Sequence, residues 1–143
     1  MRIAHVANFY GPTSGGLRTT MHELGRGYLE RGHEFLMIVP GAEDADEPTE
    51  FGRRVTLASP VLPFSGGYRV LTRLGEVRDV LAAFAPDAVE VSDRTTLRGL
   101  GSWSARQGAP AVFFAHERAD GVLGAHLPRA IRAALPVRRL ADA

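Results

Sequence analysis

Two adjacent glycines, Gly15 and Gly16, stand directly before a run of helical periodicity, with Arg18 in what becomes its first turn. A helix N-terminus carries unpaired N–H groups and a partial positive charge, which suits phosphate or another anion. Glycine lets an anion reach the main chain because no Cβ intervenes, and Arg18 adds a charged donor. The same pair also suits a tight strand-to-helix turn with positive φ, and the residues alone leave both readings open. The stretch is neither a G-x-G-x-x-G fingerprint nor a P-loop, whose lysine is absent because all 17 basic residues are arginine.

Three further places carry polar groups that could meet a ligand. "VEVSDRTT" ends an apolar run with Asp93, a carboxylate able to bind a ligand hydroxyl or to cap the next helix, as Ser92 or Thr95 also could. "VFFAHERAD" ends another with His116 and Glu117, an imidazole placed either to meet a ligand or to sit as a satisfied, partly buried group. "SGGYR" at 65–69 repeats the glycine pair beside Tyr68, as a second ligand-facing loop or as simple turn chemistry. His5, His22, His33 and His126 have no metal-ligand spacing, "HELGR" lacks the second histidine of a zincin, and cysteine is absent, so no metal is expected. His5 is expected to face a sheet layer.

These groups need elements to hold them. Residues 2–7, 34–39, 54–57, 88–91 and 111–114 read as short apolar strands. Leu17, Met21, Leu24 and Tyr28 form one helical stripe that ends at Gly32, where a positive φ is wanted. Leu71, Leu74, Val77, Leu81 and Phe84 form a second, residues 97–107 a third stopped by Gly108, and Leu127, Ile131 and Leu135 a fourth. Strands alternating with helices predict an α/β domain with a mostly parallel sheet covered on both faces. In such sheets ligands bind outside the carboxyl ends of the strands. Loops 8–16, 64–68, 92–96 and 115–120 leave those ends, and their convergence predicts a site.

Composition narrows the function. A chain of 143 residues that is 45% hydrophobic fits one globular domain. A net charge of +1 gives no reason to expect nucleic-acid binding. Missing lysine and cysteine exclude Schiff-base chemistry, thiol nucleophiles and disulfides. Glu43, Asp44, Asp46, Glu47 and Glu50 read as a solvated acidic loop, and Arg129, Arg132, Arg138 and Arg139 make the last fifteen or so residues basic. "VRRLADA" breaks off while a helical pattern is running, which reads as a chain cut inside an element.

"GGLRTTMHELGRGYLERGHE" resembles the glycine-pair-to-RGHE segment that opens family-4 glycosyltransferases of the GT-B fold. "IVPG", "LPFSGGYR", "PDAVEVSDRTTLRGLG" and "FFAHE" follow in similar order and look like the GDP-mannose-dependent α-mannosyltransferase branch, which acts on phosphatidylinositol mannosides and related glycolipids. The resemblance implies a Rossmann-like, doubly wound N-terminal half of a GT-B fold, spanning residues 1–143, with the nucleotide-binding C-terminal domain absent. It implies a retaining transfer of a hexose from a sugar nucleotide to a glycolipid or glycan, without metal or cofactor. Gly15 and Gly16 would approach the donor phosphates, His116 the transferred sugar, and Arg18, Asp93, Glu117 and Tyr68 the acceptor or sugar. It also implies a cytoplasmic protein, peripheral on the inner face of the plasma membrane, and little activity in this half alone; Leu127, Ile131, Leu135 and the surrounding arginines either touch anionic lipid or form an ordinary amphipathic helix packed on the sheet. The competing expectations are an inert binding module for a phosphorylated sugar or lipid head group, and a non-functional gene fragment.

Overall fold

A computed structural model describes residues 1–114. The elements run β1 (Arg2–Val6), α1 (Gly15–Glu30), β2 (Glu34–Gly41), β3 (Ala45–Thr49), β4 (Gly52–Ala58), α2 (Leu74–Phe84), β5 (Ala88–Val91), α3 (Leu100–Arg106) and β6 (Ala111–Phe113). They build one sheet in the order β3-β4-β2-β1-β5-β6. Every pairing is parallel except β3 with β4. Without the edge strand β3, the order is the open doubly wound one, whose winding reverses between β1 and β5. That is the expected α/β architecture.

Side-chain alternation explains why both faces are covered. Ala4, Val6, Leu36, Ile38, Val55, Leu57, Val89 and Val91 point to one face and pack with Val77 and Leu81 of α2 and Leu100 of α3. Ile3, Phe35, Met37 and Val39 point to the other and pack under Met21, Leu17 and Tyr28 of α1. The central strand β2 is accordingly buried from Phe35 to Pro40, as a strand covered on both sides must be.

The acidic segment departs from the sequence expectation. Residues expected as a loop form β3, an antiparallel edge strand in which Asp46 pairs with Val55 and Glu47 with Arg54. Asp, Glu and Pro are poor strand formers, and side-chain pairing explains the outcome. Arg53 grips Asp46 through two hydrogen bonds of 2.9 and 2.7 Å, and Arg54 reaches Glu47 at 2.5 Å. Arg73 bonds Asp44 at 2.6 Å, and the Ala58 N–H bonds it at 2.7 Å. These two donors, Arg73 first, hold the Asp44 carboxyl below the usual carboxylate range. Charged side chains and Pro48 also suit an edge, because they discourage pairing with another chain.

Smaller differences have local causes. β2 continues two residues past its expected end, through Pro40 and Gly41, which pair with Leu57 and Ala58. Leu71 lies before α2 rather than within it, because its N–H donates to the Asn8 side chain at 2.7 Å. α3 starts three residues late, after a turn closed by Leu100 N–H on the Leu97 carbonyl. Gly32 follows α1 at φ 79°, as expected for its stop.

Gly25 sits mid-helix for a packing reason. A Cβ there would press on the Phe51 carbonyl oxygen and come within 2.8 Å of the Phe35 ring. Its absence lets α1 lie close on β2 and β4. Gly25→Ala is therefore expected to destabilise the fold by about 1–3 kcal/mol, the usual cost of overpacking, read as a lowered urea midpoint at unchanged slope. An unchanged or raised midpoint would contradict this packing.

Candidate functional site

Asn8 organises the end of β1. It is fully buried, and its two ends face different segments. Nδ2 donates to Asp93 at 2.6 Å and to Thr96 at 2.8 Å, while Oδ1 accepts from Leu71 N–H. One side chain thus ties the loops after β1 and β5 to the segment before α2. Phe9 follows with a left-handed φ of 59°. Its N–H donates to the Arg69 carbonyl at 3.2 Å, and its ring meets Tyr68 edge-on at 5.9 Å. The chain therefore turns sharply off the sheet and draws the 60–69 loop alongside.

The resulting open pocket, about 60 Å³, lies over the reversal between β1 and β5, and Asn8, Gly15, Gly16, Tyr68 and Ser92 are among its walls. Three of the four loops expected to converge meet here. The fourth, with His116 and Glu117, lies outside the described residues, as does the basic segment with Leu127, Ile131 and Leu135.

Helix α1 opens into this pocket uncapped. Ser14 occupies the capping position, but its hydroxyl turns back to the Gly11 backbone, donating to the carbonyl and accepting from the N–H, both at 2.7 Å. The first helical bond is Arg18 N–H to the Ser14 carbonyl, and among the described residues nothing accepts from the N–H groups of Gly15, Gly16 or Leu17. Neither glycine has positive φ, so the tight-turn reading of the pair fails. A Cβ on either would meet no atom within 4 Å. The fold requires glycine at neither position; what glycine secures is bare main chain facing open space.

The other expected residues divide. Tyr68 lines the pocket, while Gly66 and Gly67 beside it have φ of 76° and 95° and close a turn, so that part of "SGGYR" is turn chemistry. Asp93 caps no helix: α3 starts seven residues later with no side-chain cap. Its Oδ2 accepts from Asn8 and Thr95, and Oδ1 has no partner among the described residues. Arg18 is not in the pocket wall. Its charge acts on His22, whose pKa is lowered first by burial and then by Arg18, Arg54 and Arg26.

Sequence reasoning missed a buried polar chain beneath the pocket. His5 pairs in register with Glu90 on the adjacent strand. Its Nδ1 lies 2.9 Å from Glu90 Oε2 and its Nε2 is hydrogen-bonded to Ser92 Oγ. Tyr28 of α1 donates to Glu90 Oε1, and burial, followed by that bond, drives the Tyr28 pKa far upward. The signal in the sequence was a histidine and a glutamate in otherwise apolar strands; which faced which required the register. Among the described residues, no group of three His, Cys, Asp or Glu side chains could hold a metal, and no helix is long and apolar enough to cross a membrane.

Asn8→Ala removes the acceptor of a buried N–H and the donor to Asp93 and Thr96. It is expected to cost about 1–3 kcal/mol and to speed amide exchange at Leu71 and across residues 93–96. Unchanged exchange there would remove Asn8 from its organising role.

The glycosyl transferase 4-like domain family matches residues 15–143. A GDP-mannose-dependent alpha-(1-6)-phosphatidylinositol dimannoside mannosyltransferase of Mycobacterium tuberculosis is 49% identical over 130 residues, 90% of this chain and 34% of that enzyme. A GDP-mannose-dependent alpha-mannosyltransferase of Corynebacterium glutamicum is 28% identical over 75% of this chain and 27% of its own length. This chain thus spans about a third of the mycobacterial relative. Sucrose-phosphate synthase from Thermosynechococcus elongatus shares the fold at a TM-score of 0.51 and 16% identity, over 79% of this chain and 32% of that one. With the family match covering most of its length, the chain belongs to the glycosyl transferase 4-like domain family.

Proposed function

We propose that this chain forms one wall of a retaining hexosyltransferase cleft, moving mannose from GDP-mannose onto a glycolipid or glycan acceptor. The carrying observation is the uncapped start of α1, where the Gly15, Gly16 and Leu17 amides face an open pocket with no partner among the described residues. Breaking a sugar–phosphate bond builds charge on the departing diphosphate, and preorganised donors aimed at that charge lower the barrier. Backbone amides at a helix N-terminus are such donors. GDP-mannose is the donor in the names of both the mycobacterial and the corynebacterial relative, and a glycolipid acceptor is in that of the mycobacterial one; both support this reading.

The pocket's size fits a wall rather than a closed site. Small-molecule sites enclose roughly 300–1,000 Å³, against about 60 Å³ here. In this reading a second Rossmann-like domain supplies the nucleotide contacts across the cleft, and these 143 residues supply binding rather than turnover. Asp93, outside the pocket wall and with Oδ1 unpartnered among the described residues, takes a sugar or acceptor hydroxyl, and Tyr68 of the wall takes another part of the acceptor or sugar. The family resemblance assigns His116 to the transferred sugar and Glu117 to the acceptor or sugar; Arg18 assists at longer range. The departing phosphate accepts the acceptor's proton, and the reading includes neither metal nor cofactor. A glycolipid acceptor places the protein on the inner membrane face, with the arginines at 129, 132, 138 and 139 against anionic lipid.

Gly16→Ala separates ligand space from folding. The added Cβ meets no protein atom, so the fold is expected to hold or gain about 0.5–1 kcal/mol. The same Cβ takes up open space beside the amides that a bound ligand would share, and GDP-mannose affinity, measured by calorimetry or NMR titration, is expected to fall about tenfold, ~1.4 kcal/mol. Unchanged affinity in a well-folded variant would refute the amides' role.

A further inference from the structure

Ser92, His5, Glu90 and Tyr28 form one hydrogen-bonded chain that starts in the pocket and ends on α1. His5 is wholly buried, and Ser92 and Glu90 are 7% and 6% exposed. The Phe114 ring stacks over the imidazole at 5.5 Å, and Phe35 closes its edge at 6.5 Å. The Ser92 main chain is pinned by its N–H to the Val6 carbonyl at 3.1 Å. An apolar set of side chains would cover this sheet face at no polar desolvation cost.

Taking Glu90 as a carboxylate and His5 as a neutral imidazole gives the chain a proton direction. An ionised carboxylate only accepts hydrogen bonds. Glu90 takes Tyr28 O–H on Oε1, so Oε2 takes the His5 Nδ1–H. A neutral imidazole protonated on Nδ1 has a bare Nε2, which accepts from the Ser92 hydroxyl. The Ser92 proton is therefore committed inward, and the hydroxyl of this pocket-wall residue has only lone pairs left to offer.

We infer that Ser92 is an oriented hydrogen-bond acceptor that reads a ligand hydroxyl beside the anion held at Gly15 and Gly16, with His5 and Glu90 as positioning residues. The inference rests on the proposed anion-binding role of the α1 N-terminus and narrows it. The ligand fragment in this pocket is a phosphorylated polyol whose hydroxyl lies next to its phosphate, and Ser92 donates no hydrogen bond to a phosphate oxygen.

The test compares α-mannose 1-phosphate with inorganic phosphate as probes, titrated by NMR into the 143-residue chain. Ser92→Ala is expected to weaken the sugar phosphate about five- to tenfold, the worth of one hydrogen bond, and to leave inorganic phosphate unchanged. Glu90→Gln keeps every bond but reverses the chain. Its Oε1 still accepts from Tyr28, and its amide N–H₂ donates to His5 Nδ1. The imidazole then carries its proton on Nε2 and donates it to Ser92, whose hydroxyl turns toward the pocket. This variant is expected to weaken the sugar phosphate while tightening inorganic phosphate, a crossing that loss of packing would not produce. Should either variant fold poorly, the nitrogen shifts of His5 in the unaltered chain decide: Nδ1–H with bare Nε2 supports the inference, and Nε2–H overturns it. Phosphate binding with both variants unchanged in preference overturns the inference and leaves the anion cradle standing. No phosphate binding to the unaltered chain overturns both.

Discussion

The site depends on hydrogen-bond donors that the fold leaves unsatisfied. A helix start has orphan N–H groups, and a serine at the capping position ordinarily takes one of them. Here Ser14 bonds backward to Gly11 instead, and α1 begins with two glycines whose backbone lies open. The helix forgoes a cap worth about 1 kcal/mol, and its positive end faces the pocket. α1 is held from elsewhere: Met21 is wholly buried, and Gly25 lets the helix settle on Phe35 and Phe51. The middle of the helix secures the packing that its first turn does not need.

The doubly wound sheet determines where that turn is presented. Between β1 and β5 the chain leaves the sheet in opposite directions, and a crevice opens that neither crossover fills. Asn8 crosses this crevice through Nδ2 to Asp93, while its Oδ1 holds the segment before α2. The buried His5–Glu90 pair crosses the same strand gap one layer below. Two polar bridges therefore stand at the only strand boundary where the winding reverses among the described residues, and each is tied to a pocket-wall residue, Asn8 in one and Ser92 in the other.

Much of this was legible in the sequence, because periodicity reports burial. Strand β5 lies where the apolar run lies, β1 and β6 each end one residue short of it, and the α1 stripe and its Gly32 stop are as read. The glycine pair, Tyr68 and the loop after β5 meet as the strand-end rule implies. What escaped has physical causes. Strand β3 carries Asp, Glu and Pro, and only the opposing Arg53 and Arg54 make an edge strand of it. Asn8 was invisible because its importance lies in partners 63 and 85 residues away. Ser92, His5 and Glu90 required the register between β1 and β5, which no local pattern encodes. Gly15 and Gly16 were read as a phosphate site or a positive-φ turn, and only their backbone angles decide against the turn.

The central claim is that the first amides of α1 are the anion contact. An amide-resolved NMR titration of the chain with GDP-mannose tests it most directly. The account predicts that the largest shift changes fall on the Gly15, Gly16 and Leu17 amides, saturate together, and are displaced by inorganic phosphate. Saturable binding that leaves those three amides unmoved while perturbing another surface would contradict it.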